Sequence, residues 1–295
     1  MFEKSSNAFD AVELQHESRN WWHKHPMNYD WYATNSAPEN TKEFFEEIDR
    51  RFFLASPLYE GPIPFARIIP FENLTGKRVL EIGCGFGSHS QLLARAGCKL
   101  SSIDITAKAV QQTRCRLELN NLNADVREMD AEKMDFADNE FDFVWSWGVI
   151  HHSAHTDRIV DEVARVLKPG GEFRVMVYNR KAFDSYIKII RGFVTGKILK
   201  RMSISDILSY YTDGYIARFY TRSDLQELLT RSGLRVRTVR PMGQTSELVP
   251  LPGKGAIGKM KYALVARLPQ DLTVRALSRT GSFLFAVAYK PNSEI

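Results

Sequence analysis

Apolar and polar positions along this chain fall into two regimes. As far as about Glu72, aromatic residues recur at helix-like spacing: Trp21, Trp22, Tyr29, Trp31, Tyr32, Phe44, Phe45, Phe52 and Phe53. That pattern predicts a helical lead-in, residues 1–72, which packs on a later domain. The rhythm then changes to short apolar runs alternating with amphipathic stretches. Strands are predicted at 78–82, 99–104, 125–129, 141–147 and 172–178. Helices are predicted at 88–96, 107–120 and 156–167, the first closed by Gly97 and the last stopped by Pro169-Gly170-Gly171. Strands alternating with helices predict an α/β fold with a parallel, doubly wound sheet over residues 73–295. After Tyr178 the alternation breaks, and residues 180–220 read as an insertion with two helical pieces. Thr221 and Asp224 stand at capping-box spacing and open a helix over 221–232. Residues 234–239 and 283–289 read as the last strands. The Gly-, Pro- and Lys-rich residues 241–270 between them read as a loop or flap.

Composition narrows this picture modestly. The chain has 295 residues, 44% hydrophobic and 25% charged, enough to bury a sizeable core. Residues 1–26 are polar and lack the apolar region of a signal peptide, and no apolar run approaches a membrane span. Cys84, Cys98 and Cys115 form neither a metal-ligand spacing nor an even disulfide framework, which fits a reducing cytosol. A cytoplasmic protein without a metal is therefore expected. The net charge of +5 allows an anionic partner but does not demand nucleic acid.

The chemistry concentrates at the predicted strand ends, where open α/β sheets bind ligands. Residues 79–90 read VLEIGCGFGSHS, with Gly83, Gly85 and Gly87 at alternate positions around Cys84. A dinucleotide site wants G-x-G-x-x-G; here the third glycine comes one residue early, and Glu81 before the loop would repel a pyrophosphate. The later strands end in Asp104-Ile105, in Asp130-Ala131, and in Ser146-Trp147-Gly148 followed by His151 and His152. Together with SIDIT, MDAEKMDF, FDFVWSWGVIHH and VARVLKPGGEF, this series resembles the class I S-adenosylmethionine-dependent methyltransferases over about residues 76–178, with weaker support from 220 to 289.

The resemblance implies a Rossmann-like, seven-stranded sheet with the last strand antiparallel, and S-adenosylmethionine as cofactor. It implies that Gly83, Cys84, Gly85 and Gly87 let backbone approach the methionine part. Glu81 would order the loop or reach the amino group through water. Asp104 would accept the ribose hydroxyls, Ile105 would pack on adenine, and Asp130 with Ala131 would meet the adenine edge. Trp147 corresponds to a backbone contact at the amino-acid end. His151 or His152 is placed to serve as a general base, against the alternative that either caps a helix or merely packs. Tyr29 and Trp31 are the candidate lid contacts over the site, with core packing as the alternative.

The expected reaction is methyl transfer to a small molecule with an apolar portion, O-methylation first. N- or C-methylation is the alternative among enzymes, and a non-catalytic, membrane-held scaffold the alternative outside them. Nucleic acid is not expected as substrate, because no amino-methylating motif follows the fourth strand and no appended nucleic-acid module is recognisable. Oligomeric state stays open. Tyr186, Ile187, Ile189, Ile190, Phe193 and Val194 form an apolar face, with Arg180, Lys181, Lys188, Arg191, Lys197, Lys200 and Arg201 around it and Asp184 as the one acid. A second acid-free stretch runs over 254–267. Two readings of residues 180–201 stay open: a pocket cover with its apolar face inward, or a basic amphipathic helix lying on an anionic membrane.

Overall fold

A computed structural model describes residues 11–27, 29, 35–55, 63–197, 202–249, 255–265 and 267–292. Two helices precede the sheet, α1 (Ala11–Lys24) and α2 (Lys42–Ala55). Next come β1 (Arg78–Ile82), α3 (Ser88–Arg95), β2 (Lys99–Asp104), α4 (Ala107–Leu119), β3 (Asp125–Glu128), β4 (Phe141–Trp147), α5 (Thr156–Val166) and β5 (Leu167–Asn179). The insertion forms α6 (Phe183–Val194) and α7 (Ile204–Tyr210), followed by a short β6 (Phe219–Tyr220). The chain closes with α8 (Arg222–Arg231), β7 (Arg235–Met242), α9 (Gly255–Val265), α10 (Gln270–Thr280) and β8 (Phe283–Tyr289).

The strands pair in the order β3-β2-β1-β4-β5-β8-β7, with β6 added to β5. All pairs up to β5 are parallel, and β8 runs antiparallel to both β5 and β7. The sheet is thus Rossmann-like, as expected, with β6 as an extra strand too short to read from sequence. Order reverses at β1, between β2 and β4, which opens a crevice beyond the carboxyl ends of these strands.

Both faces of the sheet are covered, so its central strands are buried along most of their length rather than at alternate positions. On one face Ile159, Val160, Val163 and Val166 of α5 pack with Leu80, Val144, Phe173 and Val175. On the other, Phe52 of α2 and Phe65, Ile68, Ile69 and Phe71 of the lead-in pack with Val79, Trp145, Met176 and Phe285. The aromatic lead-in is therefore part of the main core.

Two departures from the predicted elements have local causes. The Pro-Gly-Gly segment lies inside β5, not in a loop after α5. Leu167 pairs with Phe141 and Glu172 with Phe143, so residues 168–171 form a bulge between these pairs. Gly170 takes a positive φ of 77° there. The expected flap at 241–270 instead carries a 3-10 turn (Thr245–Leu248), α9 and the start of α10. Pro241, Gly243, Pro250, Pro252 and Gly253 precede α9, and although Gly255 and Gly258 lie within it, its Ala, Met and Leu favour helix.

Candidate active site

β1 delivers its chain into a loop that needs glycine for different reasons at two positions. Gly83 has φ 80°, and a Cβ there would lie 2.2 Å from Val149 Cγ2. Gly85 has φ 53°, but a Cβ there would meet nothing within 4 Å. Gly83 thus makes room for the neighbouring strand end, whereas Gly85 bares backbone to an open crevice. Gly87 is turned away: it caps α3, and its Cβ would press on Thr113 and Arg116 of α4.

Buried charges hold the loop from behind. Arg116 is fully buried and donates to Gln91 Oε1 (2.7 Å), Ser88 Oγ (3.1 Å) and the Phe86 carbonyl (3.2 Å). It also pairs with Asp49 of α2. One guanidinium therefore ties α4, the glycine loop and the N-terminal extension together. Glu81 lies beneath the loop and is no part of the cavity wall. Ser90 and Ser102 (2.8 Å) both donate to its Oε2, while burial pushes its carboxyl up to about 7.

The crevice is a cavity of about 480 Å³. At one end stand Asp104, Ile105, Asp130 and Ala131, the residues at or just past the ends of β2 and β3. Asp104 accepts from the Gly85 amide (3.1 Å) through Oδ2, and through Oδ1 from the Thr106 amide (3.0 Å) and hydroxyl (2.9 Å). Burial raises its carboxyl above the ordinary range, and these donors oppose the rise. Asp130 accepts from the Glu132 amide at 2.9 Å and from Gln15 of α1. The other end is walled by Trp22, Met27, Tyr178, Phe219 and Phe283, with Lys188, Asp213, Gln244 and Glu247 among them. Gly83, Cys84, Gly85, Trp147 and Met176 also line the cavity.

The two histidines part company. His152 lines the cavity, and its Nδ1 contacts the Ile216 carbonyl at 2.6 Å. A carbonyl can only accept, so Nδ1 carries the proton and Nε2 is the basic nitrogen. His151 is fully buried behind the wall, 4.0 Å from the Tyr178 ring. Neither of its ring nitrogens has a hydrogen-bond partner, and burial drives its basicity well down. It packs as a ring against His152 and Tyr178 and does not line the cavity.

The lid residues also divide. Tyr29 lines the cavity and stacks on Phe52 at 4.5 Å, and burial raises its phenol well above the usual range. Trp31 lies outside the described residues. Among the wall residues the sequence did not single out for the site are Gln15, His89 and Glu247. His89 sits among Phe65, Trp145 and Trp147, its imidazole pushed down to about 3 by burial. Glu247 has its carboxyl pushed up to about 7 by burial, although it accepts from the Gln244 (2.7 Å) and Ser282 (2.9 Å) amides.

Residues 80–175 match the family described as "Methyltransferase domain". The chain is 29% identical over 225 residues to the ubiquinone biosynthesis O-methyltransferase of Aromatoleum aromaticum, covering 72% of this chain and 94% of that protein. It is 30% identical over 188 residues to that of Thiobacillus denitrificans, covering 63% and 77%. Among solved structures, an S-adenosylmethionine-dependent methyltransferase from Methanosarcina mazei superposes with a TM-score of 0.53 at 22% identity, covering 77% of this chain and 98% of that one. The cyclase SpnF also reaches 0.53 at 17% identity, covering 96% and 94%. At such identities the structures speak for the fold alone, and a cyclase among them shows that this fold hosts other chemistry. With a glycine loop opening on the crevice, Asp104 and Asp130 at its far end, and sequence relatives of this kind, the chain belongs to the class I S-adenosylmethionine-dependent methyltransferases.

Proposed function

We propose that this enzyme methylates a hydroxyl oxygen of a small molecule with an apolar portion. The two-ended cavity carries this reading. The glycine loop, Asp104, Ile105, Asp130 and Ala131 suit S-adenosylmethionine at one end: the open space over Gly85 admits it, and carboxylates offer acceptors for its hydroxyls and amino groups. When bound, it supplies an electrophilic methyl group on a sulfonium. Gly83, Cys84 and Trp147 also line the cavity, and in this reading they border the methionine part of the donor. In this reading Glu81 and Gly87 act indirectly, by shaping the loop from beneath and behind. Within the extension 1–72, α1 and Tyr29 serve as the lid, while Phe52, Phe65, Ile68, Ile69 and Phe71 pack into the core.

At the other end, aromatic walls suit an apolar acceptor and exclude water, which strengthens the remaining polar contacts. His152 is the proposed base. Its Nε2 would take the hydroxyl proton as oxygen attacks the methyl carbon. The Ile216 carbonyl would hold the tautomer. Glu247 is a second candidate for the same proton, because its carboxyl lines this end and titrates near neutrality. His151 is not proposed as a base, since it lies behind the wall.

The relatives named as ubiquinone biosynthesis O-methyltransferases support an oxygen acceptor on a lipophilic small molecule. N- or C-methylation would need no hydroxyl-directed base. A non-catalytic scaffold would bind cofactor without turnover. Incubation of the protein with methyl-labelled S-adenosylmethionine and a cell extract separates these. The expected result is label in an organic-extractable ether, lost in His152→Ala. Tight cofactor binding without any labelled product would select the scaffold.

A further inference from the structure

Helix α6 is built inside out. Ser185 and Gly192 are buried; Ser185 donates to the Asn179 carbonyl at 2.8 Å, and a Cβ on Gly192 would lie 2.5 Å from Ile207 of α7. Asp184, Ser185 and Lys188 line the cavity. Lys188 bridges Asp184 (2.8 Å) and Thr212 (3.0 Å). The polar and small residues thus face the protein. The apolar stripe faces out: Phe183, Tyr186, Ile187, Ile190, Phe193 and Val194 are 48%, 53%, 37%, 62%, 58% and 82% exposed. This is the reverse of the pocket-cover reading, in which the apolar face turns inward. Helix α9 adds Ile257, Met260 and Leu264, also exposed. Its Lys261 lies within electrostatic reach of Asp184 and Glu247, so the two helices flank the same end of the cavity.

Soluble surfaces seldom leave a contiguous apolar stripe uncovered. Its surroundings identify the cover. Arg180, Lys181 and Arg191 are exposed around α6, with Lys197 at its end. Asp184, the one acid of the segment, is engaged by Lys188 at the cavity wall. A partner that is apolar inside and negatively charged at its surface fits this arrangement, as an anionic bilayer does.

We propose that the outer stripe of α6 inserts into the anionic leaflet of a membrane and brings the acceptor end of the cavity to the bilayer. The delivery of a lipophilic acceptor rests on the methyl-transfer reading above; the docking itself does not. One helix then does two jobs, with its outer face in lipid and its inner face on the acceptor site.

Flotation of the full chain with vesicles tests this. One vesicle set is phosphatidylcholine, the other phosphatidylcholine with phosphatidylglycerol. The wild type is expected to float with the second and much less with the first, and to detach as salt rises. Ile190→Glu/Phe193→Glu is expected to stay unbound at every salt concentration. Lys181→Glu/Arg191→Glu is expected to lose binding at low salt. All four positions are exposed and off the cavity wall, so both variants should bind S-adenosylmethionine; Arg191 also lies 4.7 Å over the Tyr211 ring, so its variant should melt slightly below the wild type. Failure of the wild type to float, or flotation undiminished in Ile190→Glu/Phe193→Glu, overturns the proposal. So does a wild-type dimer in light scattering that this variant converts to monomer, since a second copy would then cover the stripe. Loss of cofactor binding by the wild type would strike the methyltransferase reading instead.

Discussion

Gln15 of α1 donates through Nε2 to both carboxylate oxygens of Asp130, at 3.1 and 3.0 Å, across 115 residues of sequence. Its own Oε1 accepts from the Ala154 amide at 2.9 Å. One turn on, Ser18 donates to the His152 carbonyl at 2.8 Å, and Arg19 pairs with Glu128. The first helix is therefore clasped onto the ends of β3 and β4. Asp130 serves two masters, the helix and the proposed adenine contact. Asp130→Ala should weaken S-adenosylmethionine binding about 10- to 100-fold, the range for a hydrogen bond to a charged group. Gln15→Ala should cost less affinity but raise amide exchange across α1. Calorimetry and hydrogen exchange measure the two. Equal affinity losses in both variants would refute separate roles.

The glycine loop offers a contrast between binding and folding. Gly85→Ala imposes a left-handed backbone on a side chain, costing about 1–2 kcal/mol, and places a methyl group in the open crevice. The protein should fold yet lose most of its cofactor affinity. Gly83→Ala adds a clash with Val149 and should lower the melting temperature more. Val149→Ala should recover part of that loss only in the Gly83→Ala background. Thermal melts of the four proteins decide it.

Glu81 should contribute a stability that falls as pH rises from about 4.5 to 7, opposed below about 6.5 by buried His89 and His151, which hold protons less tightly folded than unfolded. Glu81 titrates at about 7 when folded, raised from 4.5 by burial, so the folded state holds its proton more tightly than the unfolded chain does. The resulting stabilisation is complete below 4.5 and is lost as pH passes through 7, with a slope of at most about 1.4 kcal/mol per pH unit for one group. Glu247 adds to the same slope. Glu81→Gln should flatten the decline, read by denaturant melts at several pH values. A slope unchanged by that substitution would contradict a raised Glu81.

Base catalysis should separate the two histidines. His152→Ala should lower turnover by about 10²- to 10⁴-fold with little change in cofactor affinity. His151→Phe keeps an aromatic ring in a site that makes no hydrogen bond, so turnover and melting temperature should stay near wild type. If His152→Ala retains activity while Glu247→Gln loses it, Glu247 is the base. Turnover against pH in each variant, using the labelled extract product, distinguishes the cases.

The sequence by itself determined the sheet and the methyl donor. Strand and helix periodicity placed β1, β2, β4 and β8 at their observed bounds, because apolar runs covered on both faces leave a local signature. The proposed donor end was legible for a related reason. Gly85, Asp104 and Asp130 lie at or just past the strand ends, so they line one cavity through a topology that the alternation already implies. Only the tertiary structure decided the rest. His151 and His152 are neighbours with like chemistry, and which one faced the cavity depended on the turn that follows β4. Gln15 and Glu247 reach the site from segments far apart in the chain, and no local pattern marks such a meeting. Helix α6 showed the same apolar and basic spacing under either reading; its orientation was set by Gly192 packing on Ile207. Spacing fixes which residues share a face, but long-range packing fixes where that face points.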